Sequence, residues 1–377
     1  MAQRKNTLLL IAGFADSVLP FRGDLLRCFL ARGYAVHVAA PGLAAGSDMA
    51  RGLEAEGIVP HDIPLRRTGL NPFNDLAALL ALFALMRRIA PRLTLAYTIK
   101  PVIYGSLAAR AARVPRRYAL ITGLGYAFQT GSSPGLLQSL AQRLYRTALA
   151  GVHTVFFQNP DDEALFKTRR VVSAAAPTCV INGSGIDVDR FAPCPVPPGP
   201  PVFLMIARLL VDKGVREFAQ AARQVKARHP NTRFVLVGWI DANPSAITAA
   251  ELQSWIDEGS VEFAGRLDDV RPILAEASVF VLPSYREGTP RTVLEAMAMG
   301  RAIITTDAPG CRETVAQGVN GLLVPIKDAD ALAAAMTTLV EDAPMLARMA
   351  AASRRIAEDK YDVRHVNAHM LRKMEIV

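Results

Sequence analysis

Two glutamates flank a predicted helix start in the segment 279–300, and their spacing could serve a ligand rich in hydroxyl groups. An apolar strand is followed by a polar loop carrying Glu287, and Thr289 and Pro290 are expected as the N-cap and first residue of a helix. Glu295 would then lie about 7.5 Å further along the helix axis. A carboxylate accepts two hydrogen bonds from vicinal hydroxyls, so one glutamate could meet a sugar and the other a ribose. The alternative is that both are surface acids at a helix start.

Between these carboxylates the backbone N–H groups of Arg291 and Thr292 would point out of the helix start. The positive end of the helix dipole and such N–H groups favour a diphosphate. We therefore expect a sugar and a ribose on opposite sides of a bound diphosphate.

Two cations form a second constellation at an equivalent place in the chain. Arg208 follows a predicted strand and Lys213 opens the next helix. At such a junction they can clamp a pyrophosphate and stabilise charge on a leaving group. The alternative is a turn stapled by Asp212, but the two constellations fall in one domain, which favours a single diphosphate site.

Strand-like and helix-like segments alternate along the whole chain and would position these side chains. This alternation predicts an α/β fold of two doubly wound, Rossmann-like domains with parallel sheets, and a ligand cleft at the carboxyl ends of the strands. Five prolines between residues 193 and 200 indicate a linker. The predicted divisions are an N-terminal Rossmann-like domain, a proline-rich linker, a C-terminal domain that carries both constellations and a helical tail that packs back on the first domain, at 1–190, 191–201, 202–343 and 344–377.

Composition excludes several classes of function. Four scattered cysteines and six histidines show no metal-ligand or disulfide spacing, so we expect no metal, no organic cofactor and a reducing cytoplasm. The sequence contains no stretch of about 18 uninterrupted apolar residues, so we expect no membrane-spanning helix. The longest apolar run, 76–86, is expected to be a buried helix or one lying on a bilayer surface.

The net charge of +9 is concentrated in the first half of the chain. Residues 63–160 contain twelve basic residues and one acid, Asp75. This surface is either a solvated basic face or an attraction for an anionic membrane leaflet. Nucleic acid is not expected, because the basic residues are not interleaved with aromatic side chains.

These motifs together resemble the family 4 glycosyltransferases of GT-B fold. The resemblance covers nearly the whole chain and rests on Arg208 with Lys213, on Gly265-Arg266-Leu267, on Glu287-x7-Glu295 and on Gly310-x-x-Glu313. It implies a metal-independent, retaining hexosyltransferase with a nucleotide-sugar as co-substrate. Arg208, Lys213 and Glu287 would act at the reacting centre.

The resemblance also implies the contacts of the donor. Glu295 would bind the ribose, and the backbone at Arg266 and Leu267 would bracket the base. Backbone N–H groups from Gly288 through Thr292 would support sugar and phosphate. Gly238 would line the donor pocket, with Trp239 shaping it where relatives have a small residue. These donor contacts are assigned to Gly238, Arg266, Leu267, Gly288, Thr289, Arg291, Thr292 and Glu295.

A closer branch is indicated by the segments 97–105, 121–128, 157–162 and 236–241. They are similar to bacterial transferases that extend glycans on undecaprenyl diphosphate, which implies a hexosamine-type UDP-sugar, that lipid-linked sugar acceptor and a place on the inner face of the cell membrane. Lys100 would contact the acceptor phosphate, and Gly13 lies in a loop that could meet donor or acceptor. Arg110 and Arg113, with Arg116 and Arg117, would help at the membrane, although a loop cation and a solvated helix face remain alternatives.

Two other classes of function remain open at this point. A sugar-nucleotide epimerase would share the architecture and the donor site but would need no acceptor. A non-catalytic nucleotide-sugar-binding protein is the other alternative, although four intact charged residues at one site argue against it.

Overall fold

The computed structural model describes residues 6–66, 71–124, 136–241 and 243–376. Parallel strands fall at Thr7–Ile11, Ala35–Ala40, Val59–Asp62, Leu93–Tyr97, Arg116–Ile121, Thr154–Phe157, Thr178–Val180, Val202–Ile206, Arg233–Val237, Glu262–Gly265, Val279–Leu282, Ala302–Thr306 and Gly321–Val324, numbered β1 to β13. The α-helices fall at Val18–Leu30, Asp48–Ala55, Pro72–Ile89, Ser106–Ala111, Leu136–Leu149, Pro160–Thr168, Val215–Arg228, Ala249–Asp257, Arg271–Glu276, Arg291–Ala298, Ala329–Glu341, Ala343–Ile356 and Val363–Lys373, numbered α1 to α13.

The strands form two separate parallel sheets. The first has the order β3-β2-β1-β4-β5-β6-β7 and the second β10-β9-β8-β11-β12-β13. Central strands such as β1 and β8 are buried along their whole length, as parallel strands covered on both faces must be. This arrangement confirms the predicted pair of doubly wound α/β domains.

In both sheets the strand order reverses at one point, between β1 and β4 in the first and between β8 and β11 in the second. The loops leaving these strands diverge to opposite sides, which opens a crevice at the carboxyl edge of the sheet. Gly13 and Lys100 follow β1 and β4. Arg208 and Glu287 follow β8 and β11.

Two edge strands were not predicted from the sequence, β3 and β7. Strand β3 contains Pro60 and is half exposed, and β7 is three residues long. Edge strands bond to one neighbour only, so they tolerate proline and lack a continuous apolar pattern.

The division between the domains differs from the predicted one. One compact unit comprises residues 1–184 and 367–377, and the other comprises 185–366. The proline-rich segment 191–201 therefore belongs to the second unit, where the buried guanidinium of Arg301 donates to the carbonyl oxygens of Cys194 at 3.2 Å and Pro195 at 3.1 Å. A proline has no N–H group but keeps its carbonyl acceptor. A segment that cannot join a sheet can therefore still be held by hydrogen bonds from a side chain.

Only the last part of the predicted tail belongs to the first unit. Helix α12 packs within the second unit, whereas residues 367–377 complete the first. The Tyr118 hydroxyl and the Arg116 guanidinium donate to the Met374 carbonyl at 2.9 and 3.1 Å. Four buried apolar side chains of this segment join the core on one face of the first sheet, namely Met370, Leu371, Met374 and Ile376.

We predict that Met370→Ala destabilises the first unit by about 2–5 kcal/mol, because it removes a fully buried side chain and leaves a cavity. Denaturant titration of the full chain measures the free energy of unfolding, and limited proteolysis shows which unit has become less stable. The neighbouring Arg372→Ala, at an exposed position, is the matched control. Equal unfolding midpoints for the two variants would show that the tail does not stabilise the first unit.

Candidate functional site

The loop between β11 and α10 is fixed at its entrance by hydroxyl groups and backbone bonds. The Oγ1 atom of Thr305 donates to the Leu282 carbonyl at 2.7 Å, and that of Thr306 donates to the Ser284 carbonyl. The Tyr285 N–H donates to the Asp212 carbonyl at 2.9 Å. The loop is thus held between β12 and the turn that carries Lys213.

Two glycines let neighbouring backbone approach this loop from opposite sides. A Cβ on Gly214 would lie 2.2 Å from the Pro283 carbonyl oxygen, and one on Gly310 would lie 2.2 Å from that of Glu287. Both glycines also have positive φ, +74° and +82°. Only glycine fits either place, so the course of the loop is set by backbone contact.

The structure brings Lys213 and Glu287 together as an ion pair. The Lys213 Nζ atom lies 2.5 Å from the Glu287 carboxylate, and the two side chains are 17% and 16% exposed. An ammonium group has three donors and a carboxylate accepts more than one hydrogen bond. The pair can therefore hold each other and still offer a donor to an anion and an acceptor to a hydroxyl.

Arg208 is held by a partner that the sequence did not assign. Its Nη1 atom lies 3.0 Å from an Asp241 carboxylate oxygen. Asp241 follows β9, the strand next to β8, so the carboxyl ends of two adjacent strands supply the pair. A carboxylate just beyond a neighbouring strand was the signal that could have identified it.

Helix α10 begins one residue later than predicted. Pro290 is the N-cap, with an extended ψ of 112°, and Arg291 is the first helical residue. The prediction of Thr289 as N-cap and Pro290 as first helical residue was therefore wrong. Proline fixes φ but leaves ψ open, so it serves a cap as readily as a first turn.

Glu295 is buried in the second turn of α10. Burial raises the pKa of its carboxyl, and the positive charge of Arg291 partly offsets that rise. The Arg291 Nε atom lies 3.0 Å from the Glu295 carboxylate, four residues away along the same helix face. A buried carboxylate that is paired with a cation is suited to accept hydrogen bonds from a ligand that excludes water.

One aromatic and one cationic side chain meet just beyond the ends of β9 and β10. The Arg266 guanidinium lies 4.9 Å from the Trp239 ring centre, and the Trp239 side chain is 41% exposed. Gly238 packs closely against the end of β8, because a Cβ there would lie 1.9 Å from the Ala207 carbonyl oxygen and only glycine fits. Leu267 beside them is also exposed. This corner offers flat surfaces to a planar group such as a nucleobase.

The second unit thus collects the residues predicted for a donor at one edge of its sheet. Arg208 follows β8, Gly238 and Trp239 follow β9, Arg266 follows β10, and Glu287 follows β11. Gly288, Thr289, Arg291 and Thr292 connect β11 to Glu295. Their contacts with a ligand stay predictions.

The residues predicted for the acceptor lie in the first unit. A Cβ on Gly13 would lie 2.6 Å from Thr98 Oγ1, so glycine permits the loops after β1 and β4 to touch. The Lys100 Nζ atom lies 2.7 Å from the Asp75 carboxylate, and both side chains are nearly buried. Lys100 therefore has a structural partner, and its contact with an acceptor phosphate stays a prediction.

The predicted basic surface divides into exposed and structural residues. Arg110 and Arg113 are exposed. Arg116 instead bonds to the Met374 carbonyl, and Arg117 to the carbonyls of Val114 and Gly151. The latter two guanidiniums hold the fold together. Residues 125–128 of the 121–128 motif lie outside the described part of the chain.

Neither a metal cluster nor a membrane span was found in the described ranges. Within them, no group of three or more histidine, cysteine, aspartate or glutamate side chains is placed to hold a metal ion. No helix there is both long and apolar enough to cross a bilayer.

Known proteins resemble this chain over most of its length. Residues 8–159 match the family model described as "Glycosyl transferase 4-like", and residues 200–342 match "Glycosyl transferases group 1". The N,N'-diacetylbacillosaminyl-diphospho-undecaprenol alpha-1,3-N-acetylgalactosaminyltransferase of Campylobacter jejuni is 33% identical over 73% of this chain and 75% of its own.

A second relative and a solved structure extend the comparison. The UDP-Gal:alpha-D-GlcNAc-diphosphoundecaprenol alpha-1,3-galactosyltransferase of Escherichia coli is 25% identical over 74% of both chains. The crystal structure of Anabaena HepE in complex with UDP superposes with a TM-score of 0.76 at 20% identity, over 98% of this chain and 100% of that one. The structural likeness shows the shared fold.

We predict that Gly310→Ala abolishes nucleotide binding, because its methyl group would displace the Glu287 carbonyl and the loop that carries the site. Gly318→Ala is the matched control, since Gly318 has a similar φ of +76° and nothing within 4 Å of the added carbon. Both variants carry the backbone penalty of about 1–2 kcal/mol for a left-handed residue. Calorimetric titration with UDP should separate them, and equal affinities would contradict the assigned role of the loop.

Proposed function

Because this chain belongs to the family 4 glycosyltransferases of GT-B fold and is a hexosyltransferase, we propose that it moves a sugar from a UDP-sugar to a lipid-diphosphate-linked acceptor with retention of configuration. The transferred sugar is of the hexosamine type. The reaction needs no metal ion or organic cofactor.

The observation that carries the proposal is the ion pair of Lys213 and Glu287 at the start of α10. It places a cation, a carboxylate and the positive end of a helix at one carboxyl edge, beside Arg208. A cation and helix N–H groups suit a diphosphate, and a carboxylate suits the hydroxyls of a sugar. A nucleotide-sugar joins these two chemistries in one molecule.

The chemical step can proceed without a side-chain base. The bond between the anomeric carbon and the donor phosphate oxygen breaks, and the acceptor hydroxyl oxygen bonds to the same face of that carbon. The acceptor proton passes to the departing phosphate oxygen, so the products are UDP and the extended glycoside. Arg208 and Lys213 stabilise the negative charge on the leaving diphosphate, which is the electrostatic role that a metal ion has in other transferases.

The two units would divide the substrates between them. In the second unit Glu287 binds the sugar hydroxyls, Glu295 binds the ribose, and Arg266, Leu267 and Trp239 bracket the base. In the first unit Gly13, Lys100, Arg110 and Arg113 serve the acceptor. Two relatives whose names include a diphosphoundecaprenol acceptor support this choice, as does the basic character of residues 63–160. The protein would work as a peripheral protein on the cytoplasmic face of an anionic membrane.

A donor panel tests the proposed function. UDP- and GDP-linked hexoses and hexosamines are incubated with a lipid-diphosphate-linked sugar, and nucleotide release and the anomeric configuration of the product are read by NMR. We expect UDP release that depends on the acceptor, with an axial donor bond giving an axial product bond. Conversion of the donor sugar in the absence of acceptor would instead identify an epimerase. Absence of nucleotide binding would contradict both the transferase and the epimerase.

We predict that Arg208→Ala and Lys213→Ala each lower kcat by roughly 10²–10³-fold, the usual loss for one donor that stabilises a developing oxyanion. The matched control is Arg223→Ala, which breaks an exposed ion pair with Glu258 in the same unit. Thermal unfolding of each variant verifies that the fold is intact. A turnover for Arg208→Ala equal to that of the control would contradict its role.

We predict that nucleotide affinity falls on acidification through the raised pKa of Glu295, at a higher pH than an ordinary glutamate would give. The carboxylate accepts the ribose hydroxyls, so binding is complete above that pKa and weakens below it. Arg291→Met removes the charge that lowers this pKa, so the fall should move to higher pH. Calorimetric UDP titrations at several pH values measure the affinity of the variant and of the wild-type protein. The titration of the nucleotide itself is the same for both proteins and cancels in the difference.

Glu295→Gln is the control for this pH effect, because an amide does not titrate. Its UDP affinity should be lower at every pH and should lack the fall assigned to Glu295. Superimposable pH profiles for Arg291→Met and the wild-type protein would refute the coupling between Arg291 and Glu295.

A further inference from the structure

Helix α3 has a buried face and an exposed face that are both apolar. Inward it buries Ala78, Leu82, Leu85 and Met86 in the core of the first unit. Outward it exposes Phe73, Leu76 and Leu80, whose relative exposures are 80%, 52% and 57%. A surface helix of a protein surrounded only by water ordinarily carries polar residues on its outer face, so this face calls for an occupant.

The three exposed side chains form one continuous stripe. They stand at positions i, i+3 and i+7, which lie on the same side of an α-helix. The helix has 18 residues and is therefore about 27 Å long. Asn71 caps its start by accepting from the N–H groups of Phe73 and Asn74, so the first exposed ring is on an ordered turn.

The charges of α3 are distributed by face. Its one acid, Asp75, points inward, where it accepts from Lys100 at 2.7 Å and from the Tyr104 hydroxyl at 2.8 Å. The last turn exposes Arg87 and Arg88. Arg87, fourteen residues after Phe73, continues the apolar stripe, whereas Arg88 lies on the flank of the helix that faces His61. The outer face of α3 therefore presents apolar side chains followed by a cation and no carboxylate of this helix.

We propose that this outer face of α3, defined by Phe73, Leu76, Leu80 and Arg87, rests on a bilayer that contains anionic lipids. The apolar side chains enter the boundary between headgroups and acyl chains, and the Arg87 guanidinium meets the lipid phosphates. The charge complementarity with an anionic surface selects a bilayer over a second protein as the occupant. The inference rests on the proposed function, because an enzyme with a lipid-linked acceptor must reach it at a bilayer.

The face is suited to lie in the interface. Even this helix, the longest in the described ranges, does not meet the hydropathy of a membrane-spanning segment. Its inner face is already committed to the core of the first unit. A helix that is anchored on one side and apolar on the other can bury only a few ångströms of side chain in lipid.

A fluorescent substitution tests the contact directly. Phe73→Trp is mixed with vesicles of phosphatidylglycerol and phosphatidylcholine, with and without brominated acyl chains. Met49→Trp, at an exposed apolar position on another helix of the same unit, is the matched control. We expect a blue shift and quenching by bromine for the indole at position 73 only. The native tryptophans, Trp239 and Trp255, contribute the same background to both proteins.

Loss-of-contact variants test the energetics by vesicle flotation. The triple variant Phe73→Ser, Leu76→Gln, Leu80→Gln should partition at least about tenfold more weakly, since three apolar side chains no longer leave water. Arg87→Gln should weaken binding to anionic vesicles about fivefold at low salt, and should not change binding to neutral vesicles. Met49→Gln is the control.

Several outcomes overturn the proposal. Flotation of the triple variant equal to that of Met49→Gln would do so, as would unquenched fluorescence at position 73. Sedimentation that shows an oligomer dissociating in the triple variant, with unchanged vesicle binding, would assign the face to a second copy of this chain. UDP binding is measured in every variant. Vesicle binding without any glycosyl transfer would contradict the proposed function but would still support the contact of α3 with a bilayer.

Discussion

The close backbone approach around the loop between β11 and α10 is the constraint on which the site depends. Gly214 touches the carbonyl of Pro283, and Gly310 touches that of Glu287, at distances that no other residue permits. The loop is fixed from both sides, and the carboxylate of Glu287 lies 2.5 Å from the Lys213 Nζ atom. A site that is positioned by backbone contact is already ordered before its ligand arrives, which lowers the entropic cost of binding.

The same logic extends along the carboxyl edge of the second sheet. Neighbouring strands β9, β8 and β11 end beside each other, so Asp241, Arg208 and Glu287 alternate in charge along that edge. The ion pair with Asp241 orients the Arg208 guanidinium through its Nη1 atom. A guanidinium has five N–H donors, so the group can also donate to a diphosphate. Glu295 differs from these residues, because burial raises the pKa of its carboxyl, and the positive charge of Arg291 partly offsets that rise.

The first unit meets a different requirement. Its sheet supplies loops that approach closely at Gly13, and its outer helix α3 buries its one acid and exposes an apolar stripe. Asp75, Lys100 and Tyr104 form an inward cluster that satisfies the acid of this helix, and the outward stripe is left without carboxylates. Residues 367–376 return to this unit, where Met370 and Met374 join the core on one face of the sheet. The chain therefore crosses between its two units twice, and neither unit is one continuous stretch of sequence.

The sequence by itself determined the α/β class, the central strands, and the identity of Arg208, Lys213, Glu287 and Glu295, because apolar runs and motif spacing are local properties. It did not reveal β3 or β7, whose edge positions impose no pattern, and it placed the division between the units at prolines that in fact pack on the second unit. Tertiary structure alone decided that Lys213 faces Glu287, that Asp241 holds Arg208, and that Lys100 turns inward to Asp75. These contacts join residues separated by 25 to 74 positions, and only the lateral order of strands and the packing of helices bring such residues together.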